Sequence, residues 1–244
     1  RTNEQDHSLT ARETFILPVD WSGTFPVFEN GLIPMEPKQK MPAGVENRQG
    51  KDGYLPCGNF SFSDDFTSDR LDMRWVGLRQ NPASFATTVE GGGVRIRPFA
   101  TNISEDKGLS GLWLRQMHGH FTFTTTLEFE PETEKDLAGI ACFQNRNAQV
   151  VLGLTRQGEK TVLTLVKRWK EQQEILATVE VSNKKAPLRL RVSAEGEDFR
   201  FAYAEEGEEF QPIGPVVCGD FLSTTVAGGF VGNMIGLYAT CNNE

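Results

Sequence analysis

The sequence has no apolar stretch that approaches the roughly 20 residues a helix needs to cross a bilayer, and its opening residues, RTNEQDHSL, are polar. It therefore predicts neither a membrane span nor a signal peptide. Positive charge is also scarce, with 25 Lys and Arg against 33 Asp and Glu and a formal net charge of −8. Nucleic-acid binding needs a concentrated basic surface, and the basic cluster at residues 167–170 runs directly into Glu171 and Glu174. The charge pattern thus disfavours a nucleic-acid partner.

Motifs of nucleophilic, phosphate and metal chemistry are missing as well. No G-x-S-x-G is present, and the glycine triplet at residues 91–93 leads into a predicted strand, whereas a phosphate-binding loop leads into a helix. His118 and His120 share one face of a predicted strand, but no third metal ligand follows at a suitable spacing. The cysteines form no C-x-x-C pair, and the sequence does not choose among their three pairings. They are Cys57, Cys142, Cys218 and Cys241.

Residues 120–130, HFTFTTTLEFE, carry the strongest pattern in the chain. Aromatic or aliphatic residues alternate here with threonine and glutamate, so one face of a strand would be mostly apolar and the other polar. β-branched and aromatic residues suit a half-buried sheet, and Pro131 ends the run because proline cannot donate to a strand ladder. We predict a central strand of a sandwich whose phenylalanines face the core.

Further strand patterns follow at the short, turn-separated spacing typical of a sandwich. They lie near residues 94–97, 137–144, 149–155, 161–166, 175–181, 188–192, 199–203 and 234–240. No convincing helix of three turns is present, although residues 171–174 could form one helical turn. The chain is therefore predicted to be all-β, with two antiparallel sheets packed as a jelly-roll sandwich over residues 58–244.

The N-terminal part has a different composition. Residues 12–21 form a short apolar run interrupted by Pro18, which predicts an edge or terminal strand. Between residues 22 and 59, glycine and proline recur without hydrophobic periodicity. A segment of this kind is a linker or a long strap packed on a surface.

Two groups of carboxylates allow alternative interpretations. Glu128, Glu130 and Glu132 occupy every second position, so they could line a sheet face as the paired carboxylates of a sugar hydrolase do. They could equally form a solvated face, the commoner state of charged residues. Three aspartates at the entrance of the sandwich could bind Ca²⁺ through their oxygens, or form a polar turn. They are Asp64, Asp65 and Asp69.

A series of short segments, taken together, resembles a known family. Residues 12–15, RETF, and 17–21, LPVDW, look like the end of the five-bladed propeller of glycoside hydrolase family 43, the β-xylosidases and α-L-arabinofuranosidases. The later segments are similar to the concanavalin-like β-sandwich that follows this propeller in many members. These segments are Asp64-Asp65-Phe66, Trp75 with Leu78-Arg79, Leu114-Arg115-Gln116 with His118, Thr124-Thr125-Thr126-Leu127, Ala138-Gly139-Ile140 with Phe143-Gln144-Asn145, Gly228-Gly229-Phe230-Val231-Gly232, and Ile235-Gly236-Leu237-Tyr238-Ala239-Thr240.

The resemblance implies a catalytic centre that lies mostly outside this chain. In such inverting hydrolases the general base, the general acid and a pKa-tuning carboxylate lie in earlier blades, so no catalytic residue is expected here and the chain alone is expected to be inactive. Two substrate-binding residues carry over. Arg12 matches the arginine of a GRET-like motif that lines the propeller pocket, with Ala11 where glycine is usual. Phe230 matches a loop phenylalanine that covers the sugar, with Val231 where threonine often stands.

The resemblance also implies how the chain divides and what it contacts. Residues 1–35 would be the last strand or strands of a propeller catalytic domain, residues 36–57 a linker or strap, and residues 58–244 the sandwich. The expected partners are pentose-containing oligosaccharides and the missing N-terminal propeller. No cofactor is expected apart from the Ca²⁺ considered above, and the family suggests a periplasmic or secreted location.

An alternative function is a non-catalytic carbohydrate-binding or structural module. In that case Trp75, Trp113 or Trp169 would stack on a sugar ring. A third hypothesis, a self-sufficient hydrolase, would use Glu128 and Glu130.

Overall fold

The computed structural model of the protein describes residues 5–10, 12, 17–28, 44, 59–182 and 186–241. The chain divides into two compact units. One is formed by residues 1–12 and 64–244, and the other by residues 13–63.

The smaller unit contains a short hairpin of two strands, β1 (Val19–Asp20) and β2 (Val27–Phe28). The strands are antiparallel, and the side chain of Asp20 shapes the turn by accepting a hydrogen bond from the Ser22 amide at 2.8 Å. Strand β1 lies within the predicted strand at residues 12–21, of which 13–16 lie outside the described residues. The hairpin exposes three aromatic side chains, Trp21 at 73%, Phe25 at 77% and Phe28 at 58%.

The larger unit is built almost entirely of strands, as predicted. Its strands are β3 (Ala86–Thr88), β4 (Val94–Ile96), β5 (Ser110–Arg115), β6 (His120–Leu127), β7 (Leu137–Asn145), β8 (Ala148–Gln157), β9 (Lys160–Trp169), β10 (Gln172–Glu180), β11 (Leu188–Glu195), β12 (Asp198–Ala204), β13 (Gln211–Pro212), β14 (Val217–Cys218) and β15 (Met234–Thr240). The described helical segments are two 3₁₀ turns, Pro82–Ser84 and Asp220–Leu222, and the four-residue α1 (Thr224–Ala227).

Two antiparallel sheets make up the sandwich, which confirms the predicted fold class. A six-stranded sheet has the order β10-β9-β8-β7-β15-β5, and a second sheet has the order β13-β12-β11-β6 with β14 also paired to β12. Strands β3 and β4 form a separate two-stranded ribbon. The last strand, β15, lies between β7 and β5, so the C-terminal part of the chain completes the larger sheet.

The main core lies between the two sheets. Ile140, Leu152 and Leu163 of the larger sheet belong to the same buried cluster as Leu190 and Phe199 of the smaller sheet, and all five are fully buried. Burying a side chain of this size stabilises the fold by about 1.5–3 kcal/mol. The burial of these side chains between the sheets is what holds the sheets face to face.

A second apolar cluster includes alternate residues of β5, β7, β8 and β15 in the larger sheet. Trp113 stacks on Phe143 with ring centroids 5.2 Å apart, and Ile103 and Leu109 belong to the same buried cluster. The indole needs a glycine beside it, because a Cβ at Gly111 would lie 2.5 Å from the Trp113 ring. The six-stranded sheet is therefore covered by apolar groups on both faces.

Strand β6 differs from its prediction in one respect. Its Phe121, Phe123 and Leu127 do pack against the core, while the threonines of the opposite face, at positions 122, 124 and 126, are exposed. Among the described strands, however, β6 pairs with β11 alone, so the prediction of a central strand is wrong and β6 is an edge strand. Alternation reports which face is buried and carries no information on how many neighbours a strand has.

Strand β10 also departs from its predicted pattern. The register with β9 shifts between Ile175 and Ala177, and Ile175, the first residue of the predicted strand pattern at residues 175–181, is exposed. The helical turn considered for residues 171–174 is wrong, because residues 172–174 belong to β10 and the preceding Lys170 has a φ of +58° in the hairpin turn.

Candidate functional site

The two residues proposed to bind substrate lie in contact. The Arg12 guanidinium carbon is 4.2 Å from the centroid of the Phe230 ring, a distance at which the cation is attracted by the electrons of the ring face. Both side chains lie at the surface, and Phe230 is 70% exposed. One ring face is therefore occupied by the arginine, and most of the remaining ring surface is accessible.

The turn that follows helix α1 places Phe230 at the surface. Helix α1 begins after Ser223, whose hydroxyl accepts a hydrogen bond from the Thr225 amide at 3.2 Å, the usual role of an N-cap serine. It ends at Gly228, with a φ of +81°, followed by Gly229 with a φ of +86°. Glycine adopts these angles readily because it has no Cβ, so the two glycines let the chain turn just before Phe230. We call residues 228–231 the Phe230 loop.

The segment before Arg12 is attached to both sides of this loop. On one side, the Thr224 amide donates to the Ser8 carbonyl at 3.0 Å, and Ser223 accepts from the Ser8 amide at 2.7 Å. On the other side, the Asn233 amide donates to the Leu9 carbonyl at 2.8 Å. Leu9 itself is buried in the main core. These contacts bring Arg12 to Phe230 across most of the length of the sequence.

The buried side chains of Gln116 and Asn233 fix the residues that follow the Phe230 loop. The Asn233 side chain donates to the Gln116 side chain at 2.8 Å. The backbone amide of Gln116 donates to the backbone carbonyl of Asn233 at 2.9 Å. Gln116 also donates to the His118 carbonyl at 2.9 Å. The sequence motif that contains Gln116 and His118 therefore has a visible structural role, which is to join the end of β5 to the residues that follow the Phe230 loop.

Strand β7 ends in a bulge whose side chains bind the Phe230 loop and the end of α1. The Gln144 side-chain amide donates to the Val231 carbonyl at 2.6 Å and to the Gly228 carbonyl at 3.3 Å, and Asn145 donates to the Ala227 carbonyl at 3.1 Å. Neither side chain was singled out for a role by its sequence, since an amide at a strand end has no periodic signal. Both lie in segments quoted for the family resemblance.

The alternative carbohydrate platforms are not supported by the arrangement of the side chains. Trp75 and Trp113 are buried, so neither is available to stack on a sugar, and Trp169 packs edge-on against Phe221 at 5.9 Å. Glu128 and Glu130 follow the end of β6 and are exposed.

Two of the three aspartates considered for Ca²⁺, Asp64 and Asp65, accept hydrogen bonds from neighbouring groups. Asp64 accepts from the Phe66 amide at 2.9 Å and from the Trp75 indole at 2.8 Å. Asp65 accepts from the Thr67 hydroxyl at 2.7 Å, and the hydrogen bonds from Thr67 lower the pKa of Asp65. Within the described ranges, no group of three or more His, Cys, Asp or Glu is arranged to hold a metal ion.

The described residues contain no helix that is both long and apolar enough to span a membrane. Three of the four cysteines are described, and Cys142 and Cys218 are free. Cys142 is fully buried, and burial raises the pKa of its thiol. Cys57 lies outside the described residues.

The two face-to-face antiparallel sheets define a concanavalin-like β-sandwich. The family model described as "Beta xylosidase C-terminal Concanavalin A-like domain" matches residues 63–244. The chain therefore belongs to this family of C-terminal domains of family 43 glycoside hydrolases, as the sequence resemblance implied.

Curated relatives carry glycosidase names. The chain is 26% identical over 238 residues to a "Xylosidase/arabinosidase" of Butyrivibrio fibrisolvens, covering 96% of this chain and 44% of the relative. It is 24% identical over 241 residues to a "Non-reducing end alpha-L-arabinofuranosidase" of Bacteroides ovatus, covering 96% of this chain and 42% of the relative. The chain thus spans less than half the length of these relatives.

Solved structures give the same picture. A GH43_12 structure retrieved from a capybara gut metagenome superposes with a TM-score of 0.89 at 40% identity, covering 98% of this chain and 46% of that one. A xylan β-1,4-xylosidase from Bacillus halodurans has a TM-score of 0.82 at 23% identity, with 98% of this chain and 46% of that one covered, and supports the fold alone.

Proposed function

We propose that this chain is the C-terminal part of a family 43 glycosidase that acts on xylo- or arabino-saccharides, and that its sandwich buttresses the catalytic propeller and walls the active site. The main observation in support is the contact between Arg12 and the exposed ring of Phe230, with 4.2 Å between the guanidinium carbon and the ring centroid. The names and lengths of the relatives support the wider assignment, since each is about twice as long as this chain.

Each of the two residues has a distinct chemical role in this proposal. The guanidinium of Arg12 offers a planar fork of donors to hydroxyl or carboxylate oxygens. The Phe230 ring covers the sugar and excludes water around the scissile bond. The arginine also lies on one face of the ring, so the two groups form a single wall with a polar part and an apolar part.

The catalytic carboxylates are proposed to lie in the part of the enzyme that precedes this chain. Inverting glycosidases need a general acid and a general base about 6.5–9.5 Å apart on opposite sides of the sugar. Glu128 and Glu130, the pair considered from the sequence, are both exposed. We therefore expect the isolated chain to hydrolyse neither aryl xylosides nor aryl arabinofuranosides, whereas the complete enzyme does.

The hairpin of the smaller unit is consistent with residues 1–35 being the last strands of a propeller. Its exposed side chains Trp21, Phe25 and Phe28 lie within eight residues of one another. Apolar groups clustered in this way typically mark a surface that another part of the protein covers. In this proposal the preceding blades cover them.

The direct test removes the aromatic wall in the complete enzyme. We expect Phe230→Ala to lower kcat/KM for small xylosides or arabinosides by about 10-fold or more, equivalent to about 1.4 kcal/mol of lost transition-state stabilisation. Val231→Ala is the matched control, because Val231 is the exposed neighbour on the same loop. Wild-type kinetics for Phe230→Ala would remove this residue from the active site.

The polar half of the wall is tested separately. Arg12→Lys keeps the positive charge and removes the planar fork, so we expect it to raise KM while the free energy of unfolding stays within about 0.5 kcal/mol of wild type, as for most surface substitutions.

Calorimetry of the isolated chain with xylan and arabinan oligosaccharides tests the alternative function, a carbohydrate-binding module. Clear binding would favour a carbohydrate-binding module, and we expect none.

A further inference from the structure

We propose that Gln144 is a positioning residue that holds the Phe230 ring in place, and that the β-bulge at the end of β7 is the device that aims it. This inference rests on the proposed role of Phe230 in covering the substrate. Gln144 is buried, whereas the Phe230 ring is 70% exposed.

The bulge explains how two consecutive side chains bind the Phe230 loop and the end of α1 beside it. In a regular strand, successive side chains point to opposite faces of the sheet. The register between β7 and β8 shifts between Phe143 and Asn145, so that Phe143 pairs with Gln149 and Asn145 with Ala148. A bulge of this kind re-aims a side chain, and here both Gln144 and Asn145 donate to carbonyls of residues 227–231.

The carbonyls that Gln144 binds lie on either side of Phe230. Its Nε2 donates to the carbonyl of Gly228 at 3.3 Å and to that of Val231 at 2.6 Å. Only the amide nitrogen of a glutamine donates, so the two carbonyls also fix its orientation. The backbone on both sides of Gly229 and Phe230 is thereby tied to one buried group, which restricts the directions that the ring takes.

The oxygen of the same side-chain amide has no hydrogen-bond partner among the described residues, which indicates that glutamine is favoured here for the hydrogen bonds that its nitrogen donates. Gln144 is buried, and its Oε1 accepts no hydrogen bond from the described residues. Leaving a buried acceptor unsatisfied costs free energy, so an apolar side chain of similar volume would avoid this cost. The contribution that favours glutamine here is the pair of hydrogen bonds to the loop.

A second buried glutamine provides a matched control. Gln149 lies opposite Phe143 on β8, and its Nε2 also donates twice, to the Arg146 carbonyl at 2.9 Å and to the Ser104 hydroxyl at 3.2 Å. Its Oε1 is likewise unsatisfied among the described residues. The two side chains thus share burial and hydrogen-bond number, and only Gln144 contacts the Phe230 loop.

The experiment is a double-mutant cycle in the complete enzyme. Gln144→Leu should lower kcat/KM by about 10-fold when Phe230 is present and by less than about 2-fold in a Phe230→Ala background, because residues that act through one another are not additive. Gln149→Leu should lose similar thermal stability without this kinetic effect. Equal losses in both Phe230 backgrounds, or equal kinetics for the two glutamine variants, would overturn the proposal.

Amide hydrogen exchange gives a readout that does not depend on activity. We expect the amides of residues 229–232 to exchange about 10-fold faster in Gln144→Leu than in Gln149→Leu, since local opening controls this rate. If Phe230→Ala has wild-type kinetics, the proposed function fails, and unchanged exchange in Gln144→Leu would separately overturn the anchoring role. Gln144→Met, which keeps the side-chain length, replaces the leucine variant if that variant does not fold.

Discussion

At the scale of single residues, the ion pair of Asp72 and Arg74 shows how partial burial changes the effect of a charge. Arg74 donates to both carboxylate oxygens of Asp72, at 2.7 and 2.5 Å, and its backbone amide donates to the same side chain at 2.8 Å. The Arg74 side chain is the largest cause that holds the pKa of Asp72 at about 2, below its ordinary value of 3.8. A group whose folded-state pKa is depressed stabilises the fold at pH values above its unfolded pKa.

We therefore expect Asp72→Asn to lower Tm at neutral pH, with a difference from wild type that shrinks as the pH falls from 3.8 towards 2. In that window the wild-type carboxyl takes up its proton and the two proteins become alike. Thermal melts from pH 7 down to about 2 measure the effect. A constant Tm difference over this range would contradict the assignment.

The matched control is the more exposed ion pair of Arg79 and Asp106. Its N–O distance is also 2.5 Å, but its side chains are 56% and 57% exposed, against 32% and 34% for Arg74 and Asp72. Exposed ion pairs contribute little to stability because water screens them. Asp106→Asn should thus change Tm less than Asp72→Asn does.

At the scale of elements, the Phe230 loop depends on a backbone conformation that is almost confined to glycine. Gly228 has a φ of +81° and a ψ of −178°, a region that costs other residues about 1–3 kcal/mol. A Cβ at this position would meet no atom within 4 Å. Any effect of Gly228→Ala therefore comes from backbone strain and not from a clash.

We expect Gly228→Ala to lower Tm by about 2–12 °C, from about 2–4 °C per kcal/mol in a domain of this size, and to lower kcat/KM of the complete enzyme by displacing Phe230. Gly119→Ala is the control, because Gly119 is not among the glycines of positive φ and its added Cβ would make an ordinary contact at 3.9 Å. Wild-type stability and kinetics for Gly228→Ala would show that the loop does not need this conformation.

The elements also show what local sequence patterns can predict. The alternation in residues 120–127 predicted both faces of β6 correctly, because burial alternates with a period of two. Its position at a sheet edge, and the bulge at Gln144, depend on which strand lies opposite, and the sequence of β7 alone contains no sign of that register. The substrate-binding role of Arg12 and Phe230 stays a prediction from family resemblance, whereas their contact follows from long-range hydrogen bonds of Ser8 and Leu9.

At the scale of the whole molecule, the two units differ in how much of their apolar side chains is exposed. The six-stranded sheet has apolar clusters on both faces, whereas Trp21 and Phe25 of the smaller unit are largely exposed. Exposed apolar groups of this size favour association with another surface. If residues 1–35 are the end of a propeller, the same side chains are buried in the complete enzyme and exposed in the isolated chain.

This difference yields opposite effects of one double substitution. In the isolated chain, Trp21→Ser with Phe25→Ser should reduce self-association, measured by analytical ultracentrifugation. In the complete enzyme the same change should destabilise the fold by about 3 kcal/mol or more, since truncating a buried aromatic side chain costs about 3–5 kcal/mol. Met73→Ser is the control for removing an exposed apolar group, because Met73 is 96% exposed in the larger unit. A complete enzyme in which the double substitution lowers Tm no more than Met73→Ser would mean that the hairpin is not covered, and the assignment of residues 1–35 to a propeller would then fail.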